Sequence, residues 1–139
     1  MKKIKEHLTA GGVIYNKGKV ALLRDRWGKL VSAKGHIEKD EDIKDAAKRE
    51  VTEETGYVNL KPIKQFDKVD FTYSIGSQKH HKVLYQFLFE LEDEERDKNL
   101  IEDHEIYELV WLDIDEAIKK AAFDNTRKLL QDIKDYYLK

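Results

Sequence analysis

Residues 35–57 read GHIEKDEDIKDAAKREVTEETGY, and the stretch from Ile43 to Thr55 inside them holds neither Gly nor Pro. Few structures accept such a stretch between flanking acids and a glycine. Asp40 or Asp42 can cap a helix start and Gly56 can end it, so the spacing predicts a helix of about three turns over Ile43–Thr55, between two loops. At about 100° per residue, Ile43, Ala46 and Ala47 line up as an apolar stripe. Glu50, Glu54 and part of Val51 continue that stripe toward the C-terminal end. Carboxylates therefore stand where core residues are expected.

Acids so placed need compensation. Glu50, Glu53 and Glu54 are spaced i, i+3 and i+4, so their charges crowd one edge of the helix and repel by about 0.2–0.5 kcal/mol per exposed pair, more when desolvated. A divalent cation removes that penalty. Hard oxygen ligands converging from one helix suit Mg²⁺ or Mn²⁺, which keep several waters and also bind phosphate oxygens. Arg49, four residues before Glu53, can orient a carboxylate without occupying the metal position. Glu41, on the first turn, suits a supporting role near the helix N-terminus. The alternative is a solvated acidic face, a common feature of a chain that is 39% charged. The flanking glycines, Arg49 and the helical phase together favour the metal site.

Composition sets outer bounds. With 139 residues, 40% of them hydrophobic, and two Trp, the chain suits one domain, residues 1–139, with a proper core. A formal charge of -2 argues against general nucleic-acid binding, and the lack of Cys excludes disulfides and thiolate metal sites. The opening MKKIKEHLTAGG has no apolar run long enough for a signal peptide or a membrane span, so a soluble, cytoplasmic protein is expected.

The remaining elements follow from pattern. Residues 7–15 and Lys19–Arg24 read as a hairpin around Asn16, Lys17 and Gly18. Trp27 is expected to pack over a loop that leads through Leu30 and Val31 to residue 35, in preference to touching a substrate base. Residues 58–63 and 66–73 read as strand material interrupted by Pro62, and Gly76 marks a turn. VLYQFLFEL, residues 83–91, is the most apolar strand and is expected at the centre of the sheet. Residues 92–98 form a charged loop, residues 109–112 a last strand, and residues 114–137 one or two closing helices with a break near residues 123–125. A mixed sheet between helices, an α/β/α sandwich, is the expected fold class. Neither a heptad seam nor a clear exposed apolar stripe indicates an oligomeric state.

The spacing G-x5-E-x7-R-E-U-x-E-E-x-G, with U aliphatic, falls on Gly35, Glu41, Arg49, Glu50, Val51, Glu53, Glu54 and Gly56. It resembles the box of the Nudix hydrolases, whose fold is the same α/β/α sandwich. ALLRDRWGKLVSAKGHIEKDED and the later stretch HEIYELVWLDIDEAIKKAAFDNTRKLLQDI are similar to the asymmetrical diadenosine tetraphosphate hydrolases of that superfamily. Two departures stand out. Ala33 occupies a position where that subfamily usually has Pro, which loosens a rigid turn before Lys34. Tyr57 replaces an aliphatic residue after Gly56, with a ring that can still bury.

The resemblance implies a Mg²⁺-dependent pyrophosphohydrolase, with Mn²⁺ as an alternative ion. Glu50, Glu53, Glu54 and Gly35 would hold the metal, and Arg49 would assist. A glutamate would take the proton of a bound water, with Glu53, Glu54 and Glu105 all candidates; Glu105 lies six residues before Trp111, where related hydrolases often supply a loop glutamate. Lys34, beside Gly35, suits a substrate phosphate, and His36 either contacts phosphate or serves loop packing. Tyr73 and Phe123 match aromatic positions that sandwich adenine in the diadenosine tetraphosphate group, with core or rim packing as the alternative. Lys79, His80, His81 and Lys82 read as exposed hairpin charge; Lys82 is the member kept as a substrate-binding candidate. A zinc site from His80 and His81 is excluded because adjacent strand side chains point to opposite faces. The favoured substrate is diadenosine tetraphosphate, cleaved to ATP and AMP. Nucleoside triphosphates, ADP-ribose, nucleotide sugars and a capped or triphosphate RNA end stay open as substrates, and a non-catalytic nucleotide sensor is the alternative of another class.

Overall fold

The computed structural model describes residues 3–101 and 107–139. Its frame is β1 (Lys5–Asn16), whose residues serve both faces of the sheet. Ala10 and Ile14 enter one hydrophobic cluster, while Val13 enters the other and Tyr15 packs against it. Lys17 and Gly18, with φ of 52° and 85°, turn the chain into β2 (Lys19–Arg24), the two-residue hairpin with left-handed residues that strand twist favours. β3 (Leu30–Val31) pairs with β2, and β4 (Ala33–His36) pairs with β1.

Helix α1 (Ile43–Thr55) follows with the expected bounds and ends at Gly56 in the left-handed conformation, φ 84°. Its start is built differently from the expected cap. Asp42 stands at the N-cap position but its side chain makes no capping hydrogen bond. The acid that closes this turn is Glu41, which accepts a 3.0 Å bond from the Glu38 N–H.

β5 (Leu60–Gln65) contains Pro62 rather than ending there, and the sheet absorbs it with a register shift between Pro62 and Lys64. β6 (Val69–Ile75) and β7 (Gln78–Leu91) form a hairpin through Gly76. β7 is central, as its apolar run predicts: it pairs in parallel with β1 and antiparallel with β5 and β6. After the charged loop, β8 (Glu108–Asp113) pairs with the outer edge of β2. The chain closes with α2 (Ile114–Lys120) and α3 (Asp124–Leu138), so the break lies at residues 121–123.

The result is an eight-stranded mixed sheet between helices. Ala46, Ala47 and Val51 of α1 pack with Ile14, Phe87 and Phe89 on one face. Ala117 of α2 and Leu129, Leu130 and Ile133 of α3 pack with Val13, Leu22 and Leu88 on the other. Burying a Leu or Phe side chain contributes about 1.5–3 kcal/mol, so the two layers stabilise both faces of one sheet. Among the described residues, no helix is long and apolar enough to cross a membrane.

Two expectations are corrected. Trp27 does not pack over its loop: it is 73% exposed, with the Arg26 guanidinium 5.1 Å from its ring. The run through Leu30 and Val31 to residue 35 is also strand, β3 and β4, and not an open loop, while residues 37–42 form the expected loop before α1. Ala33 is buried in β4 opposite Gly12, so no rigid turn occupies the position where a Pro was expected. A Pro there would lack a backbone donor, and the extended pairing with β1 supplies the rigidity instead.

Candidate active site

β4 alternates in the pleated manner, and this places two consecutive residues on opposite faces of the sheet. Gly35 faces α1: a Cβ on it would lie 2.1 Å from the Glu50 carboxylate, so only glycine lets this acid approach the strand. Lys34 points its side chain to the α3 face, while its backbone N–H donates to Glu54 at 3.2 Å.

Arg49 holds the acids of α1 in place. Its Nε and Nη2 donate to the Glu41 carboxylate at 2.7 and 2.9 Å, and Nη2 also reaches the His36 carbonyl at 2.9 Å. Nη1 donates to Glu50 at 2.8 Å and to Glu53 at 3.2 Å. The bidentate grip holds the Glu41 carboxyl below the usual carboxylate range and strengthens the guanidinium's own hold on its proton. Glu54 lies outside this grip. Burial, then the charge of Glu50, push its carboxyl up to about 8, against partial relief from the Lys34 N–H and ammonium.

On the α3 face, a cleft of about 480 Å³ is lined by Lys34, Phe71, Lys82, Leu84, Phe123 and Asn125, among others. Phe71 and Phe123 are 39% and 47% exposed, unusual for large apolar rings in a chain with a full core. Burial first, then the charge of Lys82, hold the Lys34 ammonium below its ordinary value.

A sequence profile of the NUDIX domain matches residues 5–133. The chain belongs to the Nudix family. A Mycobacterium tuberculosis protein named as a mutator protein, MutT4, is 31% identical over 114 residues, 77% of this chain and 42% of that protein. An asymmetrical bis(5′-nucleosyl)-tetraphosphatase of Rattus norvegicus is 28% identical over 99 residues, 71% of this chain and 65% of that protein. The chain thus spans less than two thirds of the length of either relative. Among solved structures, a Nudix hydrolase from Nitrosomonas europaea aligns with a TM-score of 0.68 at 28% identity, over 96% of this chain and 90% of that one. A C. elegans Ap4A hydrolase in a binary complex aligns at 0.67 and 21% identity, over 95% and 98%, which is a likeness of fold. The domain is a Nudix hydrolase domain, of the class that acts on phosphoanhydride bonds, with the α/β Nudix fold of a mixed sheet and three helices.

The Nudix box therefore accounts for residues 35–57, and its donor set can be tested for a metal. Among the described residues, no group of three acid or imidazole side chains stands ready as a cage. The chemistry of the box nevertheless fits a hard divalent ion. Glu50, Glu53 and Glu54 offer only oxygen from one helix edge, and Gly35 leaves room beside Glu50. Glu54 is buried near the charges of Glu50 and Glu53, and the Lys34 ammonium offsets them in part from the other face of the sheet.

The other Nudix candidates separate into those beside the box or cleft and those away from it. Lys34, Lys82 and Phe123 share the cleft. Tyr73 does not line it: its ring stacks on His80 at 4.9 Å with an interplanar angle of 6°, and Phe71 is the β6 ring that lines the cleft with Phe123. Phe71 lies two residues before Tyr73 on the same strand face, so strand alternation is the signal that finds it. His36 is exposed at the edge of the box, with its ring 5.8 Å from His7. His81 bridges Glu6 and Asp70 at 2.5 and 2.6 Å on the opposite face from His80, as adjacent strand residues must. Glu105 lies outside the described residues. Tyr57 is buried as expected, and its hydroxyl accepts a 3.1 Å bond from the Trp111 indole N–H.

Proposed function

We propose that this single Nudix domain is a Mg²⁺-dependent pyrophosphohydrolase of nucleoside diphosphate-linked compounds, with Mn²⁺ as an alternative ion. Diadenosine tetraphosphate, cleaved to ATP and AMP, is the favoured substrate. The observation that carries the reading is the pairing of two sites through β4: box acids on one face, and on the other a cleft with two exposed Phe rings and two lysines. Rings of this kind stack on a nucleobase for about 1–3 kcal/mol per base. Lys34 and Lys82 then meet the phosphates, and Lys34 offsets charge that develops on the oxygens.

Glu50, Glu53, Glu54 and Gly35 are the residues that would hold the ion. Bound there, a divalent cation neutralises the pyrophosphate and lowers the pKa of water. Arg49 keeps Glu50 and Glu53 oriented by its bonds to both and to Glu41. The general base is one of Glu53, Glu54 and Glu105. Burial and the charge of Glu50 disfavour the charged form of Glu54, a property that suits a proton acceptor.

The similarity to the rat tetraphosphatase supports the dinucleotide substrate, and the single aromatic cleft also suits a nucleoside triphosphate. A panel of dinucleoside polyphosphates, nucleoside triphosphates, ADP-ribose and triphosphate RNA with Mg²⁺, products resolved by chromatography, separates these. ATP plus AMP from diadenosine tetraphosphate is the expected result. Preference for ADP-ribose rejects that substrate, and no hydrolysis of any compound rejects the enzymatic reading in favour of a nucleotide sensor.

A further inference from the structure

β7 carries Lys82, Leu84 and Gln86 on one face, at two-residue intervals. Lys82 and Leu84 line the aromatic cleft, and Leu88 beyond Gln86 belongs to the α3 core. Gln86 is a polar residue inserted in this apolar row, and it is only 5% exposed. Its backbone carbonyl accepts from Phe66 N–H at 2.9 Å, whereas its side-chain carboxamide has no hydrogen-bond partner among the described residues. Leaving a buried amide unpaired costs about 1–3 kcal/mol, and natural cores avoid it.

The amide is not sealed, however. No fully buried side-chain polar atom among the described residues lacks a partner, so the carboxamide retains access to its surroundings. Those surroundings are a groove of about 320 Å³ between the start of β6 and the first turns of α3. The groove and the aromatic cleft share Val69, Asp124 and Asn125, so the two are one continuous depression with Gln86 at its inner end. Asn125 adds a second polar group there: its Oδ1 is held by the Thr126 N–H at 2.8 Å, which leaves its NH₂ as the group to offer.

We propose that Gln86 is the specificity-determining residue of the cleft, reading the polar edge of a nucleobase stacked between Phe71 and Phe123. This rests on the cleft being the base site of the reading above, and it narrows the substrate class to nucleotides, excluding phosphoanhydrides that lack a base. A carboxamide presents a donor and an acceptor side by side and pairs bidentately with adenine N6 and N7, so adenine is the matching probe. Phe71 pairs with Lys82 and Val69 with Leu84, so a purine stacked on Phe71 extends over Leu84 toward Gln86. The amide, open to solvent in the groove, exchanges water for the base edge when the base is bound.

Equilibrium binding of AMP and of purine riboside 5′-monophosphate, which lacks the 6-amino group, tests this on the full chain by calorimetry. AMP should bind on the order of 10- to 100-fold more tightly. Gln86→Leu should bring AMP down to the level of purine riboside 5′-monophosphate. It should also leave Tm unchanged or higher, because the variant removes an unpaired amide from an apolar row. In the wild-type protein, the Gln86 side-chain NH₂ resonances should shift with AMP and stay unmoved by ribose 5-phosphate. Equal binding of the two nucleotides, discrimination that survives Gln86→Leu, or amide resonances indifferent to AMP would each overturn the proposal. Neither nucleotide contains an anhydride. Base-selective AMP binding without hydrolysis therefore sinks the hydrolase reading and supports Gln86, while hydrolysis without base selectivity sinks Gln86 alone.

Discussion

At the scale of single residues, the same chemical change has opposite consequences in different places, and the neighbouring atoms decide which. A methyl group on Gly35 meets the flexible end of Glu50 at 2.1 Å, whereas one on Gly11 meets the Ala33 carbonyl at 2.0 Å and the Lys34 Cα at 2.6 Å. Gly35→Ala should therefore keep its Tm and lose activity, because Glu50 moves aside. Gly11→Ala should lose about 1–3 kcal/mol of stability, because β1 and β4 cannot part without breaking their ladder. Thermal melts and turnover measured on both variants check the contrast; equal losses of Tm would refute it. Glu53→Gln and Glu54→Gln should each lower turnover by about 10²-fold or more with the fold intact. Unchanged rates in both would remove the box acids from the mechanism. The acids, Gly35 and Arg49 were legible from spacing alone, since a helix has one phase and a glycine one missing atom. Phe71 shares the strand face of Tyr73, but which of the two rings reaches the cleft, and that Gln86 opens beside it, depended on where α3 covers the sheet.

At the scale of elements, strands β1, β6 and β7 continue past the core as an arm whose two faces differ. One face carries Tyr73, His80 and His7, with a 2.9 Å bond between the two imidazoles. The other carries His81 between Glu6 and Asp70. Hydrogen bonds from His81 to Asp70 and then Glu6 raise its pKa above the ordinary 6.5. Since the folded value is the higher one, the clamp's stabilisation is fully present below pH 6.5 and is lost as pH rises through the folded pKa. A histidine NMR titration should place His81 above 6.5 and should move it down in Asp70→Asn; a value at or below 6.5 in the wild type would show the clamp to be idle. The arm's hairpin was readable from Gly76, and the central strand from its apolar run. β4 was not, because AKGH has neither alternation nor β-branched residues, and its extended form comes entirely from pairing with β1.

At the scale of the whole molecule, the sheet separates the box acids from the cleft, and β4 contributes a residue to each, Gly35 beside Glu50 and Lys34 in the cleft. Glu54 lies buried beside the carboxylates of Glu50 and Glu53, which disfavours its own charged form. Mg²⁺ or Mn²⁺ should raise Tm with concentration, by the equivalent of about 2.7 kcal/mol at a hundredfold excess over Kd. Chelation should reverse the rise and Glu54→Gln should shrink it. A Tm indifferent to both ions would show that the acids hold none. By itself the sequence determined the helix of the box, the phase of its acids and the order of most elements, because these follow from local spacing and hydrophobic period, and the box motif carried the resemblance to the family. Only the tertiary structure decided that Phe71 and Phe123 line one cleft, that Lys34 and Gly35 serve opposite faces, and that the Gln86 side chain opens into a groove. Those facts depend on which strands pair and which helix covers each face, and contacts between residues far apart in the chain leave no local period to read.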